Sequence, residues 1–129
     1  MAAMTVPVAL EQLRFEADKY GDNPYLVTVS DDGRPHPVSV RVSWEDDDLV
    51  LTCGARSRSN ASTRPDVTLL WPAIEDGGFS LIVDGSASVS AGQIAIRPVS
   101  AMLHRSLAAS TADAAGSECR PVLPPDPSA

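Results

Sequence analysis

The sequence holds few of the residues that make ready-made reactive centres: two cysteines, two histidines and a single lysine in 129 positions. Cys53 and Cys119 are far apart and form no CxxC pair, which excludes a disulfide framework and a cysteine-built zinc site. Cys53 lies in an apolar run and reads as core, whereas Cys119 reads as a thiol in a tail. His36 and His104 fall in no HExxH-type spacing, so no protein-made metal site is expected. Serines are frequent, but none sits in a GxSxG elbow, and a hydrolase is discarded on that ground. No stretch approaches the roughly 18 consecutive apolar residues of a membrane span. The opening MAAMTVPVALEQLRF has no basic region followed by an apolar signal core, which makes the cytoplasm the expected location. With 10 basic against 17 acidic side chains the formal charge is −7, and no basic segment is extensive enough to predict nucleic-acid binding.

What remains is an ordinary globular balance, 43% hydrophobic and 21% charged, enough for one small domain. Leu10, Leu13, Ala17 and Tyr20 recur at helical spacing, with Pro7 where a first helical turn tolerates it. Strands are predicted next: Tyr25 to Ser30, an Asp32-Gly33 hairpin turn, then Val38, Val40 and Val42 alternating with Ser39, Arg41 and Ser43. Asp48 to Cys53 reads as a central strand, followed by a short polar helix ended by Pro65. Val67 to Pro72, a long strand bent near Gly85, and QIAIRPV complete six antiparallel strands with flanking helices, which predicts a small barrel. Residues 1–105 form this domain, and 106–129, with four prolines among its last nine residues, reads as a mobile tail.

One segment invites chemistry. Between Leu49 and Pro65 there is no Asp or Glu, while Arg56, Arg58 and Arg64 stand among Ser57, Ser59, Asn60, Ser62 and Thr63. Guanidinium groups bind phosphate oxygens through charge-assisted hydrogen bonds, and free backbone N–H groups at a helix start complete such a cradle. The same residues also suit a solvated surface whose arginines pair with the acids of Glu45 to Asp48. Trp71, ahead of Pro72, reads as core or interface, and Trp44 as a cap on the barrel rim.

The runs DDGRPHPVSV, LVLTCGARSRSNASTRPDVTLLWP, FSLIVDGSASV and IRPVSAMLHR resemble the pyridoxamine 5′-phosphate oxidase-like proteins over about Tyr25 to Arg105, in particular short actinobacterial-type members. The resemblance implies a six-stranded antiparallel split β-barrel of the FMN-binding type. It also implies a homodimer, with FMN or a deazaflavin at the subunit interface and haem ranked behind them. Carried over by position, it assigns the cofactor phosphate to Arg56, Ser57, Arg58, Ser59 and Asn60, and secondary cofactor contacts to Ser39, Arg41, Thr52, Cys53 and Trp71. A lysine common in the oxidases' phosphate segment is replaced here by serine or arginine, and their C-terminal substrate-recognition element is absent. The expected activity is therefore a flavin- or deazaflavin-dependent oxidoreductase acting on a small molecule, not a genuine pyridoxamine 5′-phosphate oxidase. The rival reading is a non-catalytic flavin, deazaflavin or haem-binding module of the same fold, and no catalytic side chain is assigned.

Overall fold

The structure is a computed structural model, and it describes residues 3–106. The predicted tail and Cys119 lie outside these residues.

Ten elements follow in order: β1 (Ala3–Val8), α1 (Leu10–Asp18), β2 (Tyr25–Val29), β3 (Pro35–Ser39), β4 (Ser43–Glu45), β5 (Asp48–Thr52), α2 (Ala55–Thr63), β6 (Asp66–Trp71), β7 (Ser80–Ser90) and β8 (Gln93–Ser106). The strands form one antiparallel sheet in the order β3-β2-β6-β7-β8-β5-β4, with β1 paired to β8. The sheet is the split-barrel arrangement left open, with β3 and β4 at its ends. β8 is long enough to pair β7 along one side while its first half pairs β5 and its second half pairs β1.

Alternation explains the core. β6 and β7 bury every second side chain, so that Val67, Leu69 and Trp71 meet Leu81 and Val83 on the inner face. α1 adds Leu13 and Ala17, one turn apart, and α2 adds Ala61. The register of β7 on β8 shifts between Asp84 and Gly85, where the bend near Gly85 was predicted.

Among the described residues eight strands replace the predicted six. The first addition is β1, whose Pro7 does not start a helix but faces Met102 in the ladder. An edge strand accepts proline because an N–H directed away from its neighbour is not needed. The helix starts only at Leu10, which leaves that leucine 45% exposed and outside the predicted buried face. The second addition comes from the valine-alternating run, which splits into β3 and β4. Between them the Val40 and Val42 N–H groups donate to the carbonyls of Pro24 and Asp22, and Asn23 Nδ2 donates to the Val40 carbonyl. The valines stay buried while the backbone leaves the ladder. The last strand also exceeds the predicted QIAIRPV, running on to Ser106.

The hairpin between β2 and β3 differs in detail from the predicted tight turn. Only Gly33 has a positive φ, at 82°, and the Ser30 N–H donates to the Arg34 carbonyl. This is a three-residue loop closed by a glycine in the left-handed region. Asp31 and Asp32 stand in this loop.

Candidate functional site

β5 ends at Thr52, and the chain enters α2 through Cys53 and Gly54. Gly54 caps the helix without a side-chain hydrogen bond, and the first turn holds no acidic residue. Among the described residues no side chain caps the leading N–H groups, which carry the positive end of the helix dipole. α2 is anchored by what it turns inward. Ser57 is buried, and Asn60 Nδ2 donates to Thr28 Oγ1 of β2 at 3.0 Å, across two side chains that are 6% and 0% exposed. Arg58 Nη1 donates back to the Cys53 carbonyl, which ties the helix start to the strand end. Arg56 and Ser59 face outward.

The outward face of α2 and the β2–β3 hairpin enclose an open groove of about 590 Å³. Ser30, Asp31, Asp32, Arg34, Pro35 and His36 form one side, and Ala55, Arg56, Ser59 and Asn60 the other. Arg64, at the far end of α2, holds the hairpin in place, with Nη2 2.7 Å from Asp31 Oδ1 and Nη1 3.5 Å from the Val29 carbonyl. Ser30 Oγ donates to Asp32, the Arg34 N–H lies 3.4 Å from the same oxygen, and Arg34 Nε lies 3.8 Å from the other carboxylate oxygen. These hydrogen bonds, the Ser30 hydroxyl first, hold the Asp32 carboxyl below the usual carboxylate range, and the nearby Arg56 guanidinium adds to the effect.

Of the residues predicted for the site, Arg56, Ser59 and Asn60 line the groove. Ser57 is turned into the core and Arg58 to backbone. Ser39, Arg41 and Thr52 are exposed and lie outside the groove lining. Cys53 is half-buried beside α2, and burial pushes its thiol pKa up despite Arg58 and Ser57, so it is not an activated nucleophile. Trp71 is buried with Nε1 donating to the Gly21 carbonyl at 2.9 Å. It borders a separate hollow of about 280 Å³ with Asp18, Asp22, Val42 and Trp44, away from the groove lining.

The alternative pairing of the arginines with the Glu45 to Asp48 acids is not what forms. Arg64 pairs with Asp31, and Asp48 is taken by Arg97. The residues that sequence reasoning missed are those of the hairpin, from Ser30 to His36. Their one sequence signal, Asp32-Gly33, marked a turn but not the wall of a site.

No family model matches the chain. It is 38% identical over 108 residues to uncharacterized proteins of Mycobacterium bovis and Mycobacterium tuberculosis, an alignment covering 70% of this chain and 76% of each relative. The chain belongs to one family with these mycobacterial proteins. Solved structures with similar architecture include a proposed pyridoxamine 5′-phosphate oxidase of Listeria innocua, at TM-score 0.57 and 17% identity over 77% of this chain and 98% of that one. An F420 reductase matches at TM-score 0.52 and 16% identity over 62% and 88% of the two chains. The haem storage protein HutZ of Vibrio cholerae matches at TM-score 0.54 and 16% identity over 74% and 94%. The fold of this chain is thus the split barrel of pyridoxamine 5′-phosphate oxidase-like proteins, which it shares with these solved structures.

Proposed function

We propose that the protein binds a phosphate-bearing flavin or deazaflavin in the groove between the β2–β3 hairpin and α2, and works as a cytoplasmic oxidoreductase on a small molecule. The observation that carries this reading is the pairing of an uncapped helix start with Arg56, which makes no ion pair among the described residues. A phosphate fits that donor set, because free N–H groups, a guanidinium and the Ser59 hydroxyl all donate. Bound there, a flavin-type cofactor supplies the hydride chemistry. The chain's own residues hold the phosphate, and Arg64 keeps the hairpin wall in position through Asp31. The half-buried Cys53 thiol is held protonated by burial and contributes no base.

The groove is open on one side, and Phe15, Ile74 and Val99 are more than 60% exposed elsewhere on the surface. The homodimer implied by the family resemblance is part of this reading, with these apolar side chains as surface for a second copy. His36 on the groove wall supports a second reading, a non-catalytic haem or flavin carrier, since an imidazole there offers an axial ligand.

Titration with FMN and with a deazaflavin, by absorbance and fluorescence, separates these readings. The first predicts a micromolar or tighter complex with one of them that Arg56→Ala weakens about tenfold or more. Affinity unchanged by that substitution removes the phosphate site. A Soret band on the purified protein, without redox cycling of a flavin, favours the carrier.

A further inference from the structure

An open sheet leaves backbone N–H and C=O groups unused along its edges, and the hydrogen-bond phase of the ladder decides which residues own them. The Ser30 N–H donates to the Arg34 carbonyl, so these two residues form a bonded pair. Along the same register Thr28 with His36 and Leu26 with Val38 are bonded pairs, whereas Val29, Val27 and Tyr25 stand opposite Pro35, Pro37 and Ser39 at non-bonded positions. A second hydrogen bond gives the same phase from the other side of β2. The Ala87 N–H donates to the Pro65 carbonyl, which turns Val67, Leu69 and Trp71 toward β7 and leaves Thr68 and Leu70 for Val27 and Tyr25 of β2. The backbone groups of Pro35, Pro37 and Ser39 therefore point off the sheet, and two of those three residues have no N–H to give.

The other edges are interrupted as well. The phase carried across β7 and β8 points Ala3, Thr5 and Pro7 outward from β1, with one proline among the three. β4 is three residues long, and just ahead of it the Val42 N–H is given to the Asp22 carbonyl. β3 carries the densest block and lacks the usual alternative, since PHPVS holds no Lys, Arg, Asp or Glu whose charge would repel an added strand. A strand paired there would run beside Arg34, Pro35 and His36, which line the groove. We propose that Pro35 and Pro37 close the β3 edge to strand addition, so that a second copy of this chain cannot extend the sheet there and the flank of the groove stays clear. The closure holds whatever the groove binds.

The test compares Pro35→Thr/Pro37→Thr, which restores both outward N–H groups in strand-forming residues, with Pro35→Lys/Pro37→Lys, which restores the same groups but sets charges along the edge. Both positions are exposed, so neither replacement meets the core. In light scattering over a concentration series the threonine variant reaches about twice the mass of the unaltered protein, reversibly on dilution, as two like edges pair about a two-fold axis. The lysine variant keeps the unaltered mass. Amide hydrogen exchange of the unaltered protein adds an arm independent of any variant's folding: the Ser39 N–H exchanges about tenfold or more faster than those of His36 and Val38, which β2 holds. A folded threonine variant that keeps the unaltered mass overturns the closure. So does a lysine variant that associates equally, because lost proline stiffness and not a freed edge then drives the association. A Ser39 N–H as protected as that of Val38 means that the edge is already paired in the unaltered protein, and it overturns the proposal whatever the variants do.

Discussion

Asn60 shows how one side chain of a polar helix serves the packing of the fold at the edge of the groove. Its amide donates to Thr28 Oγ1 between two buried residues, so Asn60→Ala leaves a buried hydroxyl without that donor. We expect a loss of about 1–3 kcal/mol in urea unfolding. Ser59→Ala, one position away on the exposed face, stays within about 0.5 kcal/mol of the unaltered protein and serves as its control. At this scale the sequence was half legible. Composition alone placed Arg56 and Ser59 in an acid-free island, but it could not tell them from Ser57 and Arg58. Which way each faces depends on helix phase against β2, and the low hydrophobicity of ARSRSNAST leaves that phase unmarked.

Among the elements, the bend in β7 is the most demanding. A Cβ at Gly85 would stand 2.5 Å from Ile96 Cγ2 and 2.9 Å from the Arg97 carbonyl, both on β8. Gly85→Ala therefore costs about 1–3 kcal/mol through displaced strand backbone. Gly54→Ala meets nothing within 4 Å and serves as the comparison. Thermal melts of the two variants check the steric account, which fails if both shift alike. The bend was readable from a glycine inside an otherwise regular strand. β1 was not, because AMTVPV has neither clean alternation nor a turn before the helix. Its partner, Leu103 opposite Val6, lies at the other end of the domain. Likewise the break between β3 and β4 is made by carbonyls of the loop at Asp22 and Pro24, which no local pattern in the valine run announces.

On the scale of the whole molecule, the class of fold was legible because most strands are neighbours in sequence and their turns carry glycine or acidic residues. The groove was not, because it exists only where a helix and a hairpin distant in sequence, Ser30 to His36 and Ala55 to Asn60, are brought together. The homodimer expectation comes from the family resemblance, and Phe15, Ile74 and Val99 are exposed apolar side chains open to a second copy. Light scattering should then give about twice the 13.6 kDa chain mass, and a monomer at micromolar concentration would separate the groove from any second copy.

β8 is the seam of the molecule, joined to β7, β5 and β1 together. As the chain leaves the ribosome, β2, β3 and β6 can assemble early, but β1, made before them, lacks its β8 partner until residues 101–106 emerge. Ligation of the first strand to the last therefore waits for nearly the whole described chain, and vectorial synthesis holds Val6 and its neighbours unprotected throughout that interval. Folding on a stalled nascent chain should accordingly become protease-resistant in two stages, the second only once β8 has cleared the exit tunnel.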